Sequence, residues 1–115
     1  RIHQDSDHNE VVVSLGSLGQ VYLALDRLDE AAPLLEESLA MLRRIHRGKP
    51  DSDLAAALST LAQVRMAQGR LLESMPLLKE SSGMLQRLPG SEDSIDMVTQ
   101  LYSLAQQFAA VDGSA

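Results

Sequence analysis

The sequence predicts an all-α protein of five helices packed as antiparallel hairpins, and both its composition and an internal repeat indicate this fold. Hydrophobic residues make up 44% of the 115-residue chain, whereas aromatic residues make up 3%. Ala, Leu and Met favour helices, and the single run of three β-branched residues is Val11–Val13. A core of this composition is built from aliphatic side chains at close helix contacts.

An offset of 43 residues brings the landmarks of the sequence onto one another. Leucines, glutamines and prolines all agree on this offset, which predicts a repeated structural unit. The matched sets are Leu15 with Leu58 and Leu101, Leu18 with Leu61 and Leu104, Gln20 with Gln63 and Gln106, and Pro33 with Pro76. We therefore predict two complete units, at residues 8–50 and 51–93. Flexible tails are expected over residues 1–7 and 112–115.

Each unit has the pattern of a helix, a tight turn and a second helix. In the first unit, apolar residues at helical spacing predict one helix over residues 9–25 and another over residues 28–47. The turn between them contains Asp26, and the second unit has Gly69 at that position. Gly readily adopts the left-handed conformation that ends a helix, and Asp is among the few residues that tolerate it. Asp51 is expected to cap the helix that opens the second unit.

Short motifs recur at matching places in the units. They are Leu18-Gly19-x-x-Tyr22 with Ala31 and Leu35, then Leu61-Ala62, Ala67-Gln68-Gly69-Arg70 and Pro76-Leu77-Leu78, and finally Leu104-Ala105-x-x-Phe108. With these motifs, the units resemble tetratricopeptide repeats of the longer, kinesin-light-chain type. The resemblance implies a right-handed superhelical stack in which the first helix of each unit lines the concave face. It also implies a scaffold that binds proteins or peptides.

Arg65 departs from the pattern of that family, which prefers an aromatic residue at this position. The side chain can lay its aliphatic stem along the apolar surface and keep its guanidinium in water. The alternative is an arginine that extends towards a bound partner. The sequence leaves both interpretations open.

Carried over from the family, the inward-facing stripe of the first helices predicts a shallow and almost uncharged groove for a protein or peptide. The predicted groove residues are Gly16, Ser17, Gln20 and Leu23, then Ser59, Thr60, Gln63 and Met66, and then Tyr102, Ser103, Gln106 and Ala109. Three glutamines at one offset would form a ladder whose amides bond to a peptide backbone. Alternatively, the amides are solvated or bond to one another. The stripe lacks the Lys, Arg and Asn with which relatives grip a terminal carboxylate.

Composition and motif spacing exclude several other functions. The formal net charge is −6, whereas nucleic-acid binding needs clustered Lys and Arg. No apolar run approaches the roughly 20 residues of a membrane span, and the absence of cysteine fits an intracellular, cytoplasmic protein. His3, Asp5, Asp7 and His8 fall in the expected tail, so no metal site is predicted there. The segment Ser14–Gly19 lacks the spacing of a nucleophile elbow or phosphate loop, and its glycines are expected to allow close helix approach. We predict no catalytic residue and no cofactor.

The end of the chain raises an alternative to groove binding. The sequence begins with Arg1 rather than Met, and we expect a fragment of a longer protein. Residues 94–111 are predicted as the first helix of a third unit or as a capping helix. Leu104 and Phe108 occupy positions that would normally meet the second helix of their own unit, and with Val111 they are the predicted self-association residues of an apolar strip. If nothing covers this apolar strip, it is expected to pair with another copy of the chain in a homodimer.

Overall fold

The computed structural model describes residues 2–112, with side chains described from Glu10 to Ala110, and five α-helices and no strand lie in that range. The helices are α1 (Ile2–Ala24), α2 (Leu28–His46), α3 (Ser52–Ala67), α4 (Leu71–Gln86) and α5 (Glu92–Asp112). Each helix packs against the next one along the chain, and α3 also contacts α1 and α5. The result is an elongated stack with extents of 51 × 32 × 20 Å. The predicted all-α stack of five helices is confirmed.

The first helix is longer than the sequence analysis predicts. Because α1 begins at Ile2, residues 2–7, which were expected to form a flexible tail, are helical. Neither Gly nor Pro occurs before Gly16, and these are the residues that disfavour a helix most strongly. At the other end, α5 extends to Asp112, and residues 113–115 of the second predicted tail lie outside the described residues.

The turns inside both hairpins contain the left-handed residue that the sequence predicts. Asp26 has a φ of 60° and Gly69 has a φ of 79°, so the repeat offset holds for backbone conformation as well as for residue type. Asp51 caps α3 as expected, because its carboxylate accepts a hydrogen bond from the backbone N–H of Leu54 at 3.0 Å. This bond satisfies one of the N–H groups that have no partner in the first turn of a helix.

An ion pair stands at the start of each second helix, where no side chain caps the backbone. Arg27 donates to the carboxylate of Glu30 at 2.6 and 2.7 Å, and Arg70 donates to Glu73 at 2.7 Å through both of its bonds. The two pairs are separated by the repeat offset, so the second unit reproduces the contact of the first. Both pairs are exposed, so solvent screens the charges and the contribution of each pair to stability is small.

A buried serine on the second helix of each hairpin bonds back to the first helix. Ser81 Oγ donates to the carbonyl oxygen of Ala55 at 2.9 Å, and Ser38 Oγ donates to that of Val12 at 3.4 Å. The donors and the acceptors each match at the repeat offset. Both serines are at most 1% exposed, so these bonds offset the cost of burying a hydroxyl. They fix the same register between the two helices of both hairpins.

Two hydrophobic clusters form the core, and α3 contributes to both. The first joins α1, α2 and α3 and includes Leu35, Leu54 and Leu58, each at most 1% exposed. The second joins α3, α4 and α5 and includes Leu78 and Val98. A helix that is buried between two layers is apolar around most of its circumference, as α3 is. It is therefore the central element of the stack.

The last helix is not placed as the repeat predicts. In α3, Leu54 and Leu61 pack towards α2 and are 1% and 4% exposed. The matching residues of α5 are Met97 and Leu104, which are 48% and 42% exposed. The face that joins α3 to the preceding hairpin is therefore uncovered in α5.

α5 instead buries Val98, Ala105 and Ala109, and Val98 packs with Leu78 and Leu85 of α4. When α5 is aligned with α3 by the repeat offset, these buried residues lie one position after the residues that α3 packs against α2. A shift of one residue is a rotation of about 100° around the helix axis. The two buried alanines are small, which allows the axes of α5 and α4 to approach closely.

Candidate functional site

A cavity of about 750 Å³ lies on the side of the stack where α1, α3 and α5 are neighbours. Its lining includes Gln20 and Leu23 from α1, Thr60 and Gln63 from α3, and Met97 from α5. We call it the concave cavity. The lining side chains carry amides, hydroxyls and aliphatic groups, and none of them is charged. The volume lies within the range of ligand-binding clefts in proteins, about 300–1,000 Å³.

The structure brings seven of the predicted groove residues to this side of the stack. Five of them line the concave cavity: Gln20, Leu23, Ser59, Thr60 and Gln63. Gly16 and Ser17 line a smaller cavity of about 160 Å³ between α1 and α3. Gln20 and Thr60 line both cavities, so the two cavities are neighbours on the same side of the stack. We call the two cavities together the groove.

The hydroxyl groups of the groove on α3 already have partners inside the protein. Ser59 is 3% exposed, and its Oγ lies 2.9 Å from Ser81 Oγ. Thr60 Oγ1 donates to the carbonyl oxygen of Ala56 at 2.8 Å. These two residues therefore contribute to packing more than to recognition. The amides of Gln20, which is exposed, and of Gln63, which is half-buried, are better placed to meet a ligand.

The remaining predicted groove residues lie elsewhere, mainly because α5 is rotated. Tyr102 lines a cleft between α4 and α5, and Ala109 is buried. Ser103 and Gln106 are exposed and do not line the concave cavity. Met66 of α3 is half-buried and packs against the second core cluster. The expected ladder of three glutamines is thus a pair in this structure.

Ser94 and Met97 line the concave cavity from α5, and the sequence analysis did not select them. The repeat offset predicts which face of α5 lines the groove. Because α5 is rotated, that face does not point towards the concave cavity. A signal for the rotation exists in the sequence, because small and apolar residues recur there at spacings of three and four. These residues are Ile95, Val98, Tyr102, Ala105 and Ala109.

Charged side chains on the three helices around the groove are almost all acidic. From Glu10 onwards, α1, α3 and α5 carry five exposed carboxylates among the described side chains: Glu10, Asp53, Glu92, Asp93 and Asp96. Arg65 is the one basic side chain of these helices in that range. Its guanidinium pairs with Glu36 of α2 and donates to Gln68 at 3.0 Å, and its side chain is 12% exposed. Arg65 is therefore held by contacts within the chain and extends neither into water nor towards the groove.

An apolar strip remains exposed on α5. It consists of Met97, Leu101, Leu104 and Phe108, and we call it the α5 stripe. Spacings of four, three and four residues place these side chains on one face of the helix. Leu101 is half-buried, whereas Met97, Leu104 and Phe108 are 48%, 42% and 51% exposed. Two predicted self-association residues, Leu104 and Phe108, thus reach solvent, and the side chain of Val111 lies outside the described residues.

Neither a cluster of metal ligands nor a membrane-spanning helix occurs in the described part of the chain. Between Glu10 and Ala110, no three His, Asp or Glu side chains come together as ligands of one ion. The side chains of His3, Asp5, Asp7 and His8 lie outside that range. None of the described helices combines the length and the apolar character needed to cross a membrane.

Comparison with known families gives a match, which covers most of the first hairpin. Residues 11–51 match the family model described as a tetratricopeptide repeat. The matched segment begins in α1, includes all of α2 and ends just before α3. It supports a tetratricopeptide repeat protein and agrees with the stacked hairpins of the structure. No curated protein matches the chain.

Proposed function

We propose that this chain is a protein–protein interaction module that binds a peptide or protein segment in its groove. Tetratricopeptide repeats are generally non-catalytic scaffolds for such interactions, and the match over residues 11–51 supports this broad role. The 43-residue repeat supports the longer, kinesin-light-chain type, because the common unit has about 34 residues. A cytoplasmic protein without catalytic residues or a cofactor is part of the proposal.

The observation that carries the proposal is the uncharged lining of a cavity that three helices build together. Residues from α1, α3 and α5 meet in the concave cavity, and its floor is the buried surface of α3. A segment bound there would contact α3, the helix that contributes to both core clusters. The rigid core on both sides of α3 would hold the cavity in shape, which lowers the entropic cost of binding.

Gln20 and Gln63 give this cavity its polar recognition groups. An amide side chain offers one acceptor and two donors, so it can bond to both the C=O and the N–H of a peptide. Both glutamines line the concave cavity from adjacent helices. No charged side chain lines the concave cavity, so a segment that enters this cavity is expected to be uncharged where it is buried. Asp53 lines the smaller cavity.

The test uses matched glutamine substitutions in the full chain. Peptides are first selected from a phage library of random short peptides displayed against the wild-type protein. Gln20→Arg and Gln63→Arg place a cation in the uncharged lining, and we expect each to weaken the selected peptides at least about tenfold. Gln86→Arg on α4 is the control, because Gln86 is exposed and does not line the concave cavity.

Fluorescence anisotropy with labelled peptides measures the affinities, and circular dichroism checks that every variant keeps its helices. If Gln20→Arg and Gln63→Arg bind all selected peptides as the wild type does, the groove is not the binding site. A library that yields no peptide bound by the folded chain would also contradict the proposal.

The exposure of Leu104 and Phe108 supports a second candidate function, self-association through α5. Sedimentation velocity over a range of concentrations measures it directly. A homodimer that Leu104→Asp dissociates would establish this candidate, and a monomer at all concentrations would remove it. The control is Leu72→Asp, because Leu72 is similarly exposed on α4 at 54%.

A further inference from the structure

The α5 stripe extends the groove beyond the concave cavity. Met97 belongs to both features, because it lines the cavity and begins the stripe. The stripe continues along the same face of α5 to Phe108, which is about 16 Å further at 1.5 Å per residue. Leu101 partly packs on the second core cluster, so the stripe is supported from below by the core. The apolar surface that begins at Met97 in the concave cavity therefore continues along α5 for about three helical turns.

A stripe with the same spacing occurs on α3, and there it is covered by a helix. The residues of α3 that match Met97, Leu101 and Leu104 are Leu54, Leu58 and Leu61. They are buried in the first core cluster against an aliphatic face of a helix, formed by Leu35, Leu39 and Leu42 of α2. A stripe at helical spacing accepts another helix because its side chains interdigitate with those of the partner. A helix is thus the element that fits the α5 stripe.

The charges around the stripe indicate the charge of that helix. Glu92, Asp93 and Asp96 are exposed in the first turns of α5, and Asp93 precedes Met97 by one turn. None of the ion pairs found among the described residues includes these three carboxylates. The sequence of α5 contains four carboxylates and no Lys or Arg. A partner with basic residues beside its apolar face complements this surface.

The same charges disfavour a second copy as the partner. Two α5 helices paired in parallel would bring their acidic first turns together, and in either orientation these carboxylates would meet no basic residue on the other helix. Like charges that meet at an interface weaken it. An amphipathic helix from another protein, with Lys or Arg on its flanks, meets no such repulsion.

From these contacts and charges we infer that the α5 stripe binds a basic amphipathic helix. The apolar face of the helix lies on Met97, Leu104 and Phe108, and its basic residues lie near Asp93 and Asp96. This inference rests on the proposed function and concerns the part of the bound partner that lies beyond the concave cavity, on α5. The mode is that of an amphipathic helix in an apolar groove, with anchors every three to four residues.

The experiment uses three synthetic peptides of Leu, Ala and Lys or Glu, each long enough for about five helical turns. The first has leucines at helical spacing flanked by Lys. The second replaces Lys with Glu, and the third keeps the composition of the first but shuffles the order so that no stripe forms. Binding to the full chain is measured by fluorescence anisotropy. We expect the first peptide to bind at least about tenfold more tightly than either of the others.

Two substitutions in the chain locate the site. Leu104→Asp and Phe108→Asp change exposed side chains, so both variants are expected to fold, and each should weaken the first peptide at least about tenfold. Leu72→Asp on α4 is the matched control and should leave the affinity unchanged. Raising the salt concentration should weaken binding, since the carboxylates near Asp93 contribute to it.

Several results would overturn the inference. Equal binding of the shuffled peptide would show that charge alone attracts the probe, and tighter binding of the Glu peptide would contradict the charge argument. Affinity for the Lys peptide that survives both α5 substitutions, or no binding at all, would remove the site. A homodimer that Leu104→Asp dissociates would make a second copy the occupant. If Gln63→Arg weakens library peptides while Leu104→Asp leaves the affinity for the Lys peptide unchanged, the proposed function stands and this inference fails.

Discussion

Gly19 of α1 sets how closely the two helices of the first hairpin approach. A Cβ atom at this position would lie 2.6 Å from Leu35 Cγ and 2.8 Å from Leu35 Cδ2. These distances are too short for carbon atoms, so a side chain there would push α1 and α2 apart. The sequence predicts that the glycines of the segment Ser14–Gly19 allow close helix approach. That expectation is confirmed for Gly19, whereas a Cβ on Gly16 would meet Ser38 Oγ at an ordinary 3.8 Å.

Gly19→Ala should therefore destabilise the protein, although Ala is the better helix former. We expect a loss of about 1–2 kcal/mol in the free energy of unfolding, because overpacking outweighs the gain in propensity. Gly83→Ala is the matched control, since Gly83 lies in α4 and a Cβ there would meet nothing within 4 Å. This second variant should be more stable by about 0.5–1 kcal/mol. Urea denaturation measures both, and a Gly19→Ala variant as stable as Gly83→Ala would contradict the packing argument.

At the scale of elements, an ion pair joins the two outer helices α2 and α4. Arg43 Nη1 and Nη2 donate to the Glu80 carboxylate at 2.6 and 2.9 Å. These hydrogen bonds hold the pKa of Glu80 below its ordinary value, although partial burial acts in the opposite direction. The two side chains are 46% and 37% exposed, so solvent screening limits the contribution of the pair to about 0.5 kcal/mol.

This ion pair should make stability depend on pH in a defined direction. A carboxyl group with a lowered pKa in the folded state stabilises the protein above its unfolded pKa of about 4.3, and this contribution disappears as the pH falls. Glu80→Gln should therefore lower the free energy of unfolding by about 0.5 kcal/mol at pH 7 and have almost no effect near pH 3. Urea denaturation at both pH values measures the difference. Glu37→Gln on α2 is the control, and an equal loss from Glu80→Gln at both pH values would show that the ion pair is not responsible.

The 43-residue repeat does not predict the rotation of α5 and therefore does not predict how this helix packs. A fixed offset assigns every residue of the third helix to the position that its counterpart occupies in α3. That assignment assumes the same neighbours, whereas α3 lies between α2 and α4 and α5 packs mainly on α4. Ala105 matches Ala62, which α3 buries in the second core cluster, so α5 packs on α4 through the face that matches this second buried face of α3 and not the face that α3 packs on α2. We propose that α5 is a capping helix rather than a third repeat continued in register.

Helix boundaries were easier to predict than helix orientation, because they depend on local residues. The second helix of the first unit begins at Leu28 as predicted and ends at His46, one residue before the predicted end. Asp26 forms a turn through its own backbone conformation, and Asp51 caps a helix through its own side chain. Both features can therefore be predicted without knowledge of contacts that are distant in the sequence. The Arg65–Glu36 pair, in contrast, links two helices, and nothing in the sequence around either residue predicts it.

At the scale of the whole molecule, α3 connects the two halves of the stack. Leu58 is fully buried in the first core cluster, and Ala62 is fully buried in the second. Because one helix belongs to both clusters, loss of packing on one face of α3 is expected to weaken the other. We therefore expect the chain to unfold in a single transition.

Leu58→Ala should cost about 2–5 kcal/mol in the free energy of unfolding, because it removes a fully buried side chain and leaves a cavity. Leu25→Ala is the control, since Leu25 is 59% exposed and its loss should change stability by less than about 0.5 kcal/mol. Urea denaturation followed by circular dichroism measures both effects. A Leu58→Ala variant that unfolds in two separate steps would show that the two halves are independent.

The sequence predicts the part of the groove that α1 and α3 form. It does not predict the part that α5 forms. Gln20 and Gln63 sit on helices that follow the repeat, so the offset placed them on a shared surface correctly. Met97 and the rest of the α5 stripe depend on how one helix turns on its neighbour. The rotation of α5 is determined by side-chain packing between α4 and α5. A comparison of positions one repeat apart gives no information on this packing.

Backbone amide chemical shifts of the full chain, recorded by NMR during titration with a library-selected peptide, test the central claim most directly. If the groove binds the peptide, the shifts should change on α1, α3 and α5, with the largest changes near Gln20, Gln63 and Met97. The outer surface around Arg43 and Glu80 should stay unchanged. Shift changes confined to α2 and α4 would contradict binding in the groove.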